Sequence, residues 1–327
     1  MFNALVLTQN DKQTHAEVRQ INVSDLPEGE VLVDVSYSSL NYKDGLAVTG
    51  VGRIIRHFPM VPGIDFAGVV SESADPRYKV GDQVILTGWG VGENHWGGMS
   101  QKARVKADWL VPMPQGCDAA KTMMIGTAGL TAMLCVQALQ QAGVNPESGD
   151  VLVTGASGGV GSVAVTLLAQ LGYRVVASSG RVEENGELLK QLGASDVIDR
   201  SELEQDSRPL DKQRWAGVVD TVGNKVLATA LAQINYGGSA AICGLAGGHQ
   251  LPTTVMPFIL RGVNLLGIDS VACPFEKRVK AWEQVLAILP ASFYDQACQT
   301  VTLDQVPEFA QQIIKGKVTG RVLVKCD

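Results

Sequence analysis

Histidine, paired cysteine and unbroken apolar length are what this sequence is short of. Its four histidines, His15, His57, His95 and His249, are far apart, and none lies within ligand spacing of a cysteine. A catalytic zinc draws three protein ligands from Cys, His and Asp/Glu, so no metal is expected. The six cysteines (Cys117, Cys135, Cys243, Cys273, Cys298 and Cys326) form no CxxC pair and no short spacing. They read as buried thiols of a reducing, cytoplasmic compartment rather than as a disulfide framework. Lys and Arg, 27 against 33 Asp and Glu, form no run, and the net charge is −6. A protein that clamps nucleic-acid phosphates is therefore not expected.

Membrane signals are also thin. The start, MFNALVLTQND, has no positive segment ahead of an apolar one, so no signal peptide is expected. Residues 122–146, 151–173 and 226–260 carry no Asp, Glu, Lys or Arg, but Gly, Gln, Asn or Pro interrupts each. None is a continuous apolar segment of about 20 residues, and a buried interior is expected of all three rather than a bilayer span.

What the chain has in excess is glycine: 36 of 327 residues, about 11% where about 7% is usual. There is no three-residue period, so the excess points to tight turns and close backbone approaches. At roughly 100–200 residues per domain the length implies two domains.

Residues 1–120 show short apolar or alternating runs at 4–7, 30–36, 65–70, 83–86 and 100–105, separated by Gly, Pro and Asp turns, which predicts an antiparallel β-rich region. From about 121 to 270, strands at 151–154, 174–179, 196–199, 217–222, 239–243 and 264–268 alternate with helices at 162–171, 187–192 and 225–234. That alternation predicts βαβ units and a doubly wound parallel sheet, a Rossmann-type α/β domain. The tail adds helices at 276–289 and 306–315, a strand near 300–303 and a final strand RVLVKC, and is expected to return to the first domain. The expected division is 1–123 with 271–327 for the β-rich domain, and 124–270 for the parallel sheet.

The strongest local signal is VLVTGASGGVGSVAVTLLAQLG at 151–172. An apolar strand runs into Ala156-x-Gly158-x-x-Gly161 and an apolar helix, the dinucleotide fingerprint with Ala in place of the first glycine. Small residues let the amides of Ser157, Gly158, Gly159 and Val160 approach a pyrophosphate at the helix N-terminus. An NAD enzyme places Asp or Glu about 20 residues on, for the adenosine ribose. Here the next strand ends in Ser178-Ser179-Gly180-Arg181. A guanidinium attracts a 2′-phosphate that a carboxylate would repel, so NADP is the expected cofactor, with a solvated loop arginine as the alternative. Arg200 is a further candidate for that phosphate or for the adenine face.

These segments resemble the medium-chain dehydrogenase/reductase superfamily in its zinc-free quinone-oxidoreductase branch. The carriers are SSLNYKDGLAVTG, PGIDFAG, KVGDQV, IGTAGLTA, VTGASGGVGS and CGLAGG. Ile64-Asp65 stands where zinc members carry His-Glu, Asn41 stands near the expected Cys, and the four-cysteine lobe is absent. Over the whole length, and at ASSGR and LPTTVMPFILRG in particular, the chain is similar to the bacterial acrylyl-CoA reductase group. The resemblance implies a Rossmann domain plus a β-rich GroES-like catalytic domain. It implies NADPH-dependent reduction of acryloyl-CoA to propanoyl-CoA, which removes a toxic electrophile; a quinone or general enone reductase, and a non-catalytic NADPH-binding protein, stand as alternatives.

Such a reaction needs no metal: hydride goes to Cβ, charge moves to the carbonyl oxygen and Cα is protonated, with the protein positioning substrate and donating to the oxyanion. By resemblance Tyr42 lies by the nicotinamide, as donor or as packing wall, with Asn41, Lys43 and Asp44 as weaker alternatives. Asp44 alternatively closes the SLNYKD turn. Thr127, Leu245, Ile259 and Ser270 match positions lining the nicotinamide. Arg53, Arg56 and His57 read either as a receiver of a CoA phosphate or carbonyl or as a solvated loop face. His95 and Trp96 lie on a loop rich in glycine (Gly88, Gly90, Gly92, Gly97 and Gly98) that either trims a substrate pocket or only connects strands. Much of the glycine excess is expected to line a cleft between two domains. LPTTVMPFILRG with VNLLGID is expected to pair across a twofold, giving a homodimer.

Overall fold

The computed structural model describes residues 1–206 and 208–327. The chain divides into two compact units: Met1–Thr127 with Ser270–Val279 and Cys298–Asp327, and Ala128–Asp269 with Lys280–Ala297.

The first unit is β-rich. A two-stranded antiparallel ribbon joins β1 (Phe2–Asn10) to β2 (Gln13–Ile21). A seven-stranded sheet is built from β3 (Val31–Leu40), β4 (Asp65–Ser73), β5 (Gln83–Thr87), β6 (Lys102–Val105) and β7 (Leu110–Pro112), with the later β14 (Cys298–Thr302) and β15 (Arg321–Lys325). Its order is β14-β15-β3-β4-β5-β7, and β6 pairs with β3 off that path. Inward residues Val33, Phe66, Leu86 and Val324 share one core with Leu5 and Leu7.

The segment SLNYKD, expected as a turn, runs into a helix, α1 (Tyr42–Thr49). Its Asn, Asp and Gly are termination devices: the Asp44 carboxylate accepts from the Asn41 amide at 2.9 Å, and Gly50 ends the helix in the left-handed region at φ 70°. The strand β2 was also not expected, because QTHAEVRQI pairs only with β1 and exposes every second residue.

A helical run, α2 (Ala119–Gln141), is broken at Gly126, whose φ of 53° and ψ of −158° lie outside any helix. It is long and apolar enough to cross a bilayer, but it is mostly buried within the chain.

The second unit holds β8 (Val151–Val153), α3 (Gly159–Gln170), β9 (Val175–Ser179), α4 (Val182–Gln191), β10 (Asp196–Asp199), β11 (Trp215–Asp220), α5 (Asn224–Ala232), β12 (Ile234–Ile242), α6 (Met256–Arg261) and β13 (Asn264–Gly267). The six strands are all parallel in the order β10-β9-β8-β11-β12-β13. In order of appearance that is 3-2-1-4-5-6, the dinucleotide-binding arrangement, whose direction reverses between β8 and β11. Strands covered on both faces read as continuous apolar runs, and Val151, Leu152 and Val153 are fully buried.

The tail divides differently from the sequence expectation, which kept 271–327 with the first domain. Helix α7 (Phe275–Ile288) starts in one unit, and its later part, with α8 (Ala291–Ala297), belongs to the second. Ala281, Trp282, Val285 and Phe293 are fully buried there. Besides Ser270–Val279, the part that returns to the first unit is Cys298–Asp327, with β14, α9 (Val306–Ile314) and β15.

The thiols correct one expectation. All six cysteines are free, but only Cys135, Cys273 and Cys326 are buried; Cys117, Cys243 and Cys298 are half-buried. Cys243 ends up half-open because it follows β12 in a loop, beyond the covered strands.

Candidate active site

In the second unit the candidate nucleotide residues gather at the carboxyl ends of the parallel strands. The fingerprint turn follows β8. A Cβ at Gly161 would lie 2.3 Å from the Gly155 carbonyl oxygen, so glycine is required where α3 closes on the turn. At Gly158 the only near atom would be that same oxygen, at 3.3 Å. Gly158 also gives α3 no side-chain cap, which leaves the first helical amides of Gly159 and Val160 for an anion.

The Ser157 and Ser179 hydroxyls are 3.2 Å apart, and Ser179 Oγ accepts from the Arg181 amide at 3.2 Å. The guanidinium of Arg200 lies against Gly180, 3.0 Å from where a Cβ would stand. Ser179, Gly180, Arg181 and Arg200 are thus brought together, with Arg181 paired to Glu184 at 3.0 Å and Arg200 to Glu204 at 2.7 Å. No carboxylate ends β9. This donor set fits a 2′-phosphate.

Beneath the turn, Thr154 Oγ1 donates to Asp220 at 2.7 Å, and the Gly223 amide donates to the same carboxylate at 2.8 Å. Burial pushes the Asp220 carboxyl above its ordinary value. The pair fixes the 221–223 turn, against which the Leu245 loop is held through Gly247 N to Val222 O at 2.8 Å. Leu245 is exposed, and Ile259 stands exposed on α6, which packs on β12.

In the first unit Tyr42 opens α1, half-buried. The same unit holds a buried polar cluster built on Asp65, of which the sequence reading named Asn41, Asp44 and Thr127 as site candidates but not Ser39, Asp65 or Arg321. Asp65 accepts from the Ser39 amide and hydroxyl, from Asn41 Nδ2 at 3.1 Å and from the Thr127 amide at 2.8 Å. Arg321, 2% exposed, donates to Ser39 Oγ at 2.8 Å and to the Met124 carbonyl at 2.8 Å. Tyr42 and Thr127 therefore hang from one carboxylate, the first through Asn41 and the second directly. A charge opening an otherwise apolar strand, as in DFAGVV and RVLVKC, was the available signal, since a buried charge needs a partner. Gly126 makes room for the cluster: a Cβ there would meet Arg321 Nη2 at 2.5 Å, Ser39 Oγ at 2.7 Å and Asp65 Oδ2 at 2.9 Å.

Asp44 accepts from Asn41 N, Asn41 Nδ2, Gly63 N and Ile64 N. Burial first, and the Asp65 carboxylate second, nevertheless push its carboxyl from 3.8 to about 7. The folded chain then holds this proton more tightly than the unfolded chain, so the stability it contributes is complete below about pH 4 and is lost as pH rises through about 7. Asp44→Asn removes that dependence. The difference between wild-type and variant unfolding free energy is expected to shrink by about 1 kcal/mol per pH unit from about pH 4.5 to 6.5, measured by urea titration. A constant difference would show Asp44 ionised throughout.

Ser270 is set by Arg278, a buried guanidinium that also escaped the sequence reading. It donates to the Thr87, Ser270, Val271 and Cys273 carbonyls and lies over the Trp89 ring. His95 and Trp96 are tied inward: His95 Nε2 donates to the Arg104 carbonyl at 2.7 Å, burial lowers its pKa, and Trp96 Nε1 donates to the Pro59 carbonyl at 3.1 Å. Among the described residues no group of three or more His, Cys, Asp or Glu is arranged to hold a metal ion.

Two family models match the chain: the alcohol dehydrogenase GroES-like domain over residues 27–115 and the zinc-binding dehydrogenase over residues 159–289. The chain is 63% identical to the probable acrylyl-CoA reductase AcuI of Escherichia coli, over 99% of both chains. It is 47% identical to the putative quinone oxidoreductase YhfP of Bacillus subtilis, again over 99% of both. Its fold superposes with a TM-score of 0.98 on the yhdH oxidoreductase of Salmonella enterica solved in complex with NADP, at 59% identity, covering 99% of this chain and 100% of that one.

Proposed function

The chain belongs to the medium-chain dehydrogenase/reductase family, and from that premise we propose that it reduces the C=C bond of acryloyl-CoA with NADPH, giving propanoyl-CoA. The observation that carries the reading is the 63% identity, over 99% of both chains, to a probable acrylyl-CoA reductase, joined to a β9 end that presents hydroxyls and guanidinium groups in place of a carboxylate.

NADPH, when bound, supplies the hydride that reaches Cβ. The amides of Ser157, Gly158, Gly159 and Val160 would hold its pyrophosphate, and Ser179, Gly180, Arg181 and Arg200 would hold the 2′-phosphate. We assign Thr127, Leu245, Ile259 and Ser270 to the nicotinamide end. Tyr42 donates its hydroxyl to the thioester oxygen as negative charge gathers there. Asn41, Asp65 and Arg321 are positioning residues that fix Tyr42 and Thr127.

The test is NADPH oxidation with acryloyl-CoA, crotonoyl-CoA and a benzoquinone. The highest kcat/KM is expected for acryloyl-CoA; a higher value for the quinone, or NADPH binding without any turnover, would overturn the assignment. Tyr42→Phe should lower kcat about tenfold or more with NADPH affinity retained, and an unchanged kcat would make Tyr42 a packing residue.

The same reading places the protein in the cytoplasm, as free thiols favour, and makes it a homodimer. Strand β13 is the last of its sheet, and Val255, Leu260 and Leu265 are exposed on or near it. An open edge beside exposed apolar residues favours pairing with a second copy. Light scattering should give twice the chain mass, and Leu265→Lys should shift it to the monomer. A monomeric wild type would refute the dimer.

A further inference from the structure

Helix α1 leads into a segment, 51–59, whose charges the reaction does not use. No acidic residue occurs between Asp44 and Asp65, while Arg53, Arg56 and His57 fall within that span of a chain whose net charge is −6. Ile54, Ile55 and Phe58 pack onto the core of the first unit, and Arg53, Arg56 and His57 between them are exposed. The segment is pinned along its length: Gly52 N donates to Leu46 O, Arg56 N to Glu93 O, and Trp96 Nε1 to Pro59 O. The cations are therefore presented on a fixed outer face rather than on a swinging loop.

Their pairing is incomplete. The Glu93 carboxylate is taken by Lys43, the residue after Tyr42, and Arg56 reaches it only at 4.0 Å with its side chain 64% exposed. Among the described residues Arg53 and His57 have no acidic partner. Glu93 thus ties the start of α1, where Tyr42 stands, to a ridge of unsatisfied guanidinium groups. On an acidic protein such an island concentrates a polyanion that the remaining surface repels.

We propose that Arg53 and Arg56, with His57 beside them, bind the phosphates of the CoA nucleotide, so that the thioester is held at Tyr42 and the phosphorylated end at this ridge. The inference rests on the acyl-CoA reading above and adds the residues that separate a CoA thioester from a plain enone or quinone. Guanidinium groups suit phosphate because they donate in a fixed fork and stay charged.

The test is calorimetric titration of the whole protein, saturated with NADP⁺, with free CoA, dephospho-CoA and pantetheine. The wild type is expected to bind them in that order of affinity. Arg53→Ala/Arg56→Ala should weaken CoA about tenfold or more and collapse its advantage over pantetheine. The Arg53→Lys/Arg56→Lys variant should restore part of that advantage, and an unchanged unfolding midpoint would confirm that the fold is intact. Equal affinity of the wild type for CoA and pantetheine overturns the proposal. So does a double variant that loses NADP⁺ affinity in place of CoA affinity, since the ridge would then serve the cofactor's phosphate. CoA binding without reduction of acryloyl-CoA would sustain the ridge and defeat the catalytic reading instead.

Discussion

Arg321→Met is expected to destabilise the first unit by about 3–5 kcal/mol, the usual cost of removing one partner from a buried charged network. The guanidinium is fully enclosed and feeds Ser39 Oγ and the carbonyls of Met123 and Met124. Methionine fills much of the same space but donates nothing. Asp65 would keep its Ser39, Asn41 and Thr127 donors yet lose the charge of Arg321, and a buried carboxylate with less compensation is costly. Two acids, Asp44 and Asp65, share this one arginine, so removing it should also push the Asp44 carboxyl above its native value of about 7. Urea unfolding at pH 5 and pH 7.5 reads both effects: the loss should be larger at the higher pH, where Asp44 ionises. A loss below about 1 kcal/mol would mean that water replaces the guanidinium. Arg321→Lys should fall between, because an ammonium restores the charge but not the fork that spans Ser39 and the α2 carbonyls.

The parallel sheet was legible because its physics is local. Strands such as VLV at 151–153 are covered on both faces and must be apolar throughout, and the fingerprint glycines sit where β8 turns into α3. Candidate nucleotide residues in that turn and at the end of β9 could therefore be proposed from spacing. The grouping of the buried cluster could not, since Ser39, Asp65, Thr127 and Arg321 lie on β3, β4, the break in α2 and β15, and only the folded sheet makes them neighbours; Thr127 alone was named, by resemblance. Helix α1 was missed for the opposite reason. Asn41, Asp44 and Gly50 are turn formers in composition, but here they cap a two-turn helix whose remaining residues, Ala47 and Val48, face the core. The capping carboxylate of Asp44 is also the acceptor for Gly63 N and Ile64 N, so the segment leading into β4 is fastened to the start of α1.

Arg181→Ala should reduce kcat/KM for NADPH about 10- to 100-fold while leaving NADH almost unchanged, as loss of a charged hydrogen bond worth about 1.5–3 kcal/mol requires. The direction follows from what surrounds the end of β9. Ser178 and Ser179 stand where a ribose-binding carboxylate would select NADH, so no carboxylate there repels a phosphate, and the Arg181 backbone is fixed at the strand end by the hydrogen bond its N–H donates to Ser179 Oγ. In the free protein its guanidinium is paired with Glu184, whose side chain is 66% exposed. An exposed pair of this kind is worth little, so exchanging it for a phosphate is favourable. Glu184→Gln, which removes the competitor and a like charge to the phosphate, should therefore tighten NADPH slightly. Arg200 is the second guanidinium, stacked on Gly180 and tied to Glu204. If both arginines grip the same phosphate, Arg181→Ala/Arg200→Ala should erase the preference for NADPH over NADH with less than additive loss, because neighbouring contacts to one group are coupled. Strict additivity would put Arg200 on the adenine face instead, and an equal fall for NADPH and NADH in the Arg181 variant would remove the 2′-phosphate from this site altogether.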